Sequence, residues 1–134
     1  MSEELTIILP FFNEEGWIGR TVASLAAQSD HSFRLLLVDN GSTDAGLGEA
    51  ADQAAAMGDR VTILPCPTAG KIPAMVAGLA LVQTPLVATC DADTYYPSDY
   101  VATIRRLFAA HPRAAAVMAI DLYAPAAEIA SRRR

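Results

Sequence analysis

Short apolar runs alternate along this chain with stretches whose apolar residues recur at helical spacing. No other feature constrains the fold as tightly. The runs cover residues 5–9, 33–38, 61–64 and 86–90, with a fifth over residues 114–120. Apolar runs of four to eight residues bounded by turn signals read as buried strands. Between the first two, Ile18, Val22 and Leu25 make one helical stripe that reaches about Gln28. An alanine-rich helix runs through Ala56 to a stop at Gly58, residues 72–83 form a third helix, and Ile104, Leu107 and Phe108 lie on one side of a fourth.

The punctuation between these segments is polar. Pro10 is expected to stop the first strand, and Asn13-Glu14-Glu15 reads as the start of the first helix, with Asn13 as its cap and the glutamates complementing the positive helix end. Residues 29–32 form a polar loop. Asp39-Asn40-Gly41-Ser42-Thr43-Asp44 is a dense turn signal, and Asp44 is a candidate cap for the second helix. Pro73 is tolerated because it falls in the first turn of the third helix. Thr84-Pro85 ends that helix, Pro97-Ser98-Asp99 starts the next, and His111-Pro112 closes it.

Strands alternating with helices in this way predict an α/β fold, an open, mainly parallel sheet with helices on both faces. The 134 residues suffice for one domain with a real core. No repeat, linker or low-complexity segment divides them, so residues 1–134 are expected to be a single domain, with residues from about 122 onward as a tail. A chain 52% hydrophobic and 19% charged is globular rather than disordered. Its net charge of −5 argues against a nucleic-acid partner, which needs a basic face. Cys66 and Cys90 have neither the number nor the spacing of a disulfide framework or zinc site and read as buried thiols in a reducing compartment. The acidic N-terminus lacks the form of a signal peptide, and no apolar run approaches the roughly 20 residues of a membrane span. The expectation is a soluble, cytoplasmic chain.

Ligands of open parallel sheets bind outside the carboxyl ends of the strands. The unusual polar residues fall in those places: Asn13 after the first strand, Asp39 after the second, Lys71 after the third, Asp91 and Asp93 after the fourth. In an extended chain, residues i and i+2 point the same way, so Asp91 and Asp93 would repel each other unless a cation or a basic group lay between them. Mg²⁺ and Mn²⁺ take oxygen ligands of this kind, one or two carboxylates completed by substrate phosphates. The plainer reading makes Asp91 a turn cap and Asp93 a solvated charge. Lys71, the sole lysine, stands at a helix start where a cation is mildly unfavourable, so it reads equally as a contact to an anionic partner such as phosphate or as a simple surface charge. Asp39 reads either as a turn former bonded to its own backbone or as an acceptor for a base or ribose.

Several chemistries have no cast. The first strand is followed by Pro10-Phe11-Phe12-Asn13 rather than G-x-G-x-x-G, which disfavours NAD or FAD. The P-loop pattern and a serine nucleophile elbow are missing, and His31 and His111 sit in polar loops away from the proposed edge.

With these residues in place, the chain resembles the N-terminal, nucleotide-sugar-binding half of a family 2 glycosyltransferase with the GT-A fold. Pro10-Phe11-Phe12-Asn13-Glu14-Glu15 resembles the family's P-x-x-N-E start, and Val38-Asp39-Asn40-Gly41-Ser42-Thr43-Asp44 its V-D-[DN]-G-S-x-D. Gly70-Lys71 with Ala77-Gly78-Leu79-Ala80 resembles G-K-x-x-A-x-N-x-G-L, and Asp91-Ala92-Asp93 the D-A-D motif. The likeness runs from Leu5 to about Ile120. It implies that Asp39 binds the base of a nucleotide-diphosphate sugar of UDP or GDP type, with Pro10 and Phe12 lining that pocket and Asn13, Glu14 and Ala92 in the same binding set. Lys71 would lie near the phosphates. Asp91 would contact the ribose or donor sugar and, with Asp93, would hold a Mg²⁺ or Mn²⁺ ion.

The reaction this implies is transfer of the sugar, with inversion, to an acceptor hydroxyl on a sugar or lipid-linked partner. The cation would stabilise charge on the leaving diphosphate. In the family a later segment carries acceptor recognition and the general base, and this chain ends near the midpoint of that pattern. Asp121 and Glu128 lie in no recognisable family context, so no general base is assigned. Two other readings follow from the same residues: a nucleotide-sugar-binding module without catalysis, and an association into homo-oligomers through apolar surface that half a fold would leave uncovered. Arg132, Arg133 and Arg134 would give only a weak electrostatic anchor to the inner face of an anionic membrane.

Overall fold

The computed structural model describes residues 4–116. Among them, four strands, β1 (Leu5–Phe11), β2 (Phe33–Asp39), β3 (Val61–Pro65) and β4 (Leu86–Thr89), alternate with four helices, α1 (Ile18–Ala26), α2 (Gly46–Ala54), α3 (Lys71–Leu79) and α4 (Tyr100–Ala110). A short 3-10 stretch, Ala55–Arg60, leads from α2 into β3, and Gly58 reverses the chain there at φ 60°. Every strand pair is parallel and the order is β3-β2-β1-β4. Of the expected fifth strand, residues 114–116 are in no strand and residues 117–120 lie outside the described residues.

Period-two alternation divides the core between the two faces of the sheet. Leu5, Ile7, Leu9 and Phe11 of β1 join Phe33, Leu35 and Leu37 of β2 on one face, covered by Ile18, Val22 and Leu25 of α1, by Ala50 and Ala54 of α2, and by Val101 of α4. Ile8, Leu36 and Val38 point to the other face, where Ala74 of α3 and Cys66 close over them. Helices therefore lie on both faces, as the alternation predicts. Arg105 of α4 fastens that helix to the loop after α1 through a 2.6 Å ion pair with Asp30. α3 comes unusually near the sheet: a Cβ placed on Gly78 would stand 2.7 Å from Ile8 Cγ2. Its outward residues Ile72, Val76 and Leu79 are exposed.

Two local expectations need correction. Pro10 does not end β1, which continues to Phe11 with Pro10 opposite Val38 of β2. The reason lies in which way its missing N–H points. Glu4 and Ile8 accept hydrogen bonds from Leu86 and Cys90 on the β4 side, whereas the Phe11 carbonyl accepts from Asn40 on the β2 side. Even-numbered positions thus face β4, and β4 has already ended at Thr89, opposite Ile8. The proline removes a donor that no strand would have used. Asn13, in turn, does not cap α1. The helix begins at Ile18, Trp17 occupies the cap position, and Asn13 adopts a left-handed φ of 50° two residues beyond the strand. Its side chain serves a neighbouring loop instead.

Candidate functional site

The register leaves a notch in the sheet. β1, β2 and β3 end level with one another at Phe11, Asp39 and Pro65, but β4 stops opposite Ile8, so Leu9, Pro10 and Phe11 run on without a partner on that side. The chain order also reverses here: β2 and β3 extend the sheet to one side of β1, and the crossover through α3 returns to the other side. Such a switch point is where open α/β sheets hold ligands. A cavity of about 380 Å³ occupies it, lined by Pro10, Phe11, Phe12, Glu14, Asn40, Lys71, Ala74, Asp91, Ala92 and Asp93.

Seven residues expected at the site from sequence therefore line one cavity: Pro10, Phe12, Glu14, Lys71, Asp91, Ala92 and Asp93. Asn13, in the loop after β1, and Asp39, the last residue of β2, are not among its lining residues. Asn13 Oδ1 accepts the backbone N–H groups of Thr43 at 2.7 Å and Asp44 at 3.3 Å, bracing the loop after β2 against the loop after β1. Asp39 Oδ1 accepts the Ser42 N–H at 2.9 Å, the turn-forming bond that its position suggested. Asp44 reaches both ways, accepting from Gly46 N–H at the start of α2 and from Glu15 N–H.

The acidic pair is not on an extended strand. β4 ends at Thr89, Cys90 N–H makes the last bond to β1, and residues 91–93 turn away from the sheet. Within that turn Ala92 is buried and its two acidic neighbours are exposed. Lys71 Nζ, on the first residue of α3, pairs with Asp91 Oδ1 at 3.0 Å across the cavity. Glu14 completes the acidic rim. Partial burial, then repulsion from Asp93 and from Asp44, raises its carboxyl above the ordinary glutamate range. That repulsion registers a concentration of negative charge that Lys71 only partly offsets. Beneath the turn, burial pushes the Cys90 thiol up to about 11, so it is not a nucleophile at neutral pH. Cys66 and Cys90 are both free and buried, as expected from their number and spacing.

The residues that sequence reading passed over are those that hold the loops. Asn40 Nδ2 donates to the carbonyls of Cys66 at 3.1 Å and Thr68 at 2.8 Å, and its Oδ1 accepts Gly70 N–H at 2.8 Å. One side chain thereby fixes the loop that delivers Lys71. Its signals in the sequence were membership of a turn hexapeptide and of the V-D-[DN]-G-S-x-D pattern, neither of which assigns it this bracing role.

An open parallel sheet of this strand order, with helices on both faces, is a fold shared with GT-A glycosyltransferases. The profile of glycosyl transferase family 2 matches residues 6–133, and the chain belongs to that family. Dodecaprenyl-phosphate galacturonate synthase of Rhizobium johnstonii is 38% identical over 96 residues, covering 69% of this chain and 28% of that protein. Undecaprenyl-phosphate 4-deoxy-4-formamido-L-arabinose transferase of Sodalis glossinidius is 33% identical over 104 residues, 74% of this chain and 32% of its own. Among solved structures, mannosyltransferase PcManGT from Pyrobaculum calidifontis in complex with GDP-Man and Mn²⁺ superposes with a TM-score of 0.72 at 24% identity, over 81% of this chain and 33% of that one. S. aureus TarS 1-349 in complex with UDP gives 0.71 at 23% identity, with the same coverage of each chain. At such identity the likeness is one of fold. The chain spans 15% to 37% of the length of the curated relatives it matches.

Proposed function

We propose that the notch between β1 and β4 binds the diphosphate of a UDP- or GDP-sugar together with Mg²⁺ or Mn²⁺, and that the protein transfers the sugar with inversion. The observation that carries this reading is the convergence of Asp91, Asp93, Glu14 and Lys71 on one cavity at the switch point. The donor set suits a hard cation. Among the described residues no three His, Cys, Asp or Glu side chains form a ready-made metal centre, and Mg²⁺ sites of this type use one or two carboxylates with substrate phosphates supplying the rest. Asp91 and Asp93 would be those carboxylates, and the bound cation would stabilise the charge gained by the leaving diphosphate. Lys71 would exchange its bond to Asp91 for one to a phosphate. Asp39 and the backbone of β1 beyond Leu9 would receive the base.

The names of two relatives extend the proposal to the acceptor. Both contain a polyprenyl phosphate, which suggests a lipid-linked phosphate in place of the hydroxyl expected from sequence. Such an acceptor fits a site with no assigned general base. A phosphate monoester loses its second proton near pH 6, so its oxygen is already a nucleophile at neutral pH. A lipid-linked acceptor does not require a membrane span in this chain, and among the described residues no helix is long and apolar enough to cross a bilayer.

The test is to incubate the chain with Mn²⁺, a panel of UDP- and GDP-sugars and undecaprenyl phosphate, and to follow label entering the lipid phase. Transfer lost in Asp93→Ala supports the proposal. Wild-type transfer in that variant would remove the metal assignment. Nucleotide binding without transfer to any acceptor would establish the second reading, a donor-binding module.

A further inference from the structure

The sheet does not hold the acidic turn; α1 does. After Cys90 N–H bonds to Ile8, the backbone bonds of residues 91–92 go to side chains. Asp91 N–H donates to the Tyr96 hydroxyl at 2.8 Å, and the Ala92 carbonyl accepts the Thr21 hydroxyl at 2.9 Å. Thr21 belongs to a polar stripe, Thr21 and Ser24 on α1 and Gln28 two residues past its end, whose members are exposed by only 1%, 4% and 1%. Buried polar side chains at that depth are kept for the partners they satisfy.

Each member of the stripe grips the segment after β4. Ser24 Oγ accepts Tyr96 N–H at 3.1 Å and donates to the Thr21 carbonyl at 2.7 Å. Gln28 Nε2 donates to the Pro97 carbonyl at 2.6 Å, and Gln28 Oε1 accepts Val101 N–H at the start of α4. Tyr96 is held from the side by the Tyr100 ring, 4.7 Å between centroids. The stripe thus runs as one seam from the acidic turn to α4.

We infer that Thr21 and Tyr96 are positioning residues for Asp91 and Asp93. Together they fix the turn at the height where its carboxylates face the β1 backbone and Lys71. Neither touches the cavity, since neither is among its lining residues. The inference rests on the proposed donor site only for its consequence in binding; the positioning itself is a property of the unliganded chain.

The experiment compares Thr21→Val, Thr21→Ser and Tyr96→Phe with the wild type. Valine keeps the shape of threonine and removes its hydroxyl, serine keeps the hydroxyl, and phenylalanine removes the hydroxyl that accepts Asp91 N–H and also meets the Cys90 thiol. The first readout is amide hydrogen exchange. Exchange over residues 90–96 should quicken about fivefold, the worth of one net hydrogen bond, in Thr21→Val and Tyr96→Phe. It should stay at the wild-type rate in Thr21→Ser, and residues 5–9 of β1 should be unaffected in all three. Should Thr21→Val fail to fold, Tyr96→Phe carries the same test alone. Unchanged exchange over residues 90–96 in a folded Thr21→Val or Tyr96→Phe would overturn the inference.

The second readout is titration with UDP and Mn²⁺. Loss of a group that orients a metal ligand typically weakens binding by roughly 10-fold or more, and Thr21→Ser should restore it. Equal binding in wild type and both hydroxyl-deleted variants would also overturn the inference. A wild type that binds no nucleotide would sink the proposed function, and the exchange result would still decide the positioning.

Discussion

Replacing Gly78 with alanine tests the packing that sets α3 against the sheet. The added Cβ would lie 2.7 Å from Ile8 Cγ2 and 3.4 Å from both Cγ1 and Cδ1. Carbon atoms are comfortable at about 3.5–4.0 Å, so the nearest contact falls short by nearly 1 Å. Ile8 cannot retreat: it is fully buried, paired with Leu36 on one side and Thr89 on the other, and its clashing methyl is attached directly to Cβ. α3 must move instead. Overpacking of this kind costs about 1–3 kcal/mol, and the shortness of the contact places it at the upper end. Alanine in a helix interior returns about 1 kcal/mol relative to glycine. The net expectation is about 2 kcal/mol of destabilisation, a fall of roughly 10 °C in Tm for a domain of this size. Urea unfolding followed by circular dichroism would read it. The double variant with Ile8→Ala should lose less than the sum of the two singles, because the new methyl enters space that the isoleucine vacates. A Gly78→Ala chain as stable as wild type, or strictly additive singles, would mean that Ile8 does not set the approach of α3 to the sheet. Since α3 begins at Lys71, its displacement should also weaken nucleotide binding.

The other expectations concern the site. Lys71→Met breaks an ion pair whose partners are 65% and 63% exposed, so stability should change by less than about 1 kcal/mol. Mn²⁺ alone should then bind about 30-fold more tightly, since removing a unit positive charge at about 4 Å from a divalent cation in water is worth about 2 kcal/mol, whereas UDP with Mn²⁺ should bind more weakly; calorimetry separates the two. Glu14 has its carboxyl raised by partial burial and by Asp93 and Asp44, so the folded state favours its protonated form. Wild-type stability should therefore gain from this group as pH falls from 7 through its raised value toward 4.5, and urea titrations of Glu14→Gln should lack that gain. Asn40→Asp would set a carboxylate against the carbonyls of Cys66 and Thr68, with an expected loss of about 2 kcal/mol in unfolding free energy and weaker nucleotide binding.

The sheet was legible because β1 and β2 are buried on both faces, which leaves continuous apolar runs in the sequence. What escaped were features decided by a neighbour. The fate of Pro10 depends on where β4 stops, and nothing local encodes that. Asn13 carries a sound capping pattern with Glu14 and Glu15, yet the loop at Thr43 and Asp44 outbids the helix for its side chain. Thr21, Ser24 and Gln28 look like the solvated side of an amphipathic helix until the segment after β4 covers them. At the site, residue types and order were readable, since carboxylates and a lone lysine after strand ends have few structural uses. Their geometry was not. The acidic pair was expected on an extended chain and instead occupies a turn, held by hydroxyls from residues far away in sequence.

The most direct test of the proposed donor site is calorimetric titration of UDP and GDP, each with and without Mn²⁺, into wild type and Asp93→Ala. One nucleotide should bind, binding should need the cation, and Asp93→Ala should abolish it while circular dichroism shows the fold intact. Cation-independent binding unaffected by Asp93→Ala, or no binding of either nucleotide to a folded wild type, would contradict it.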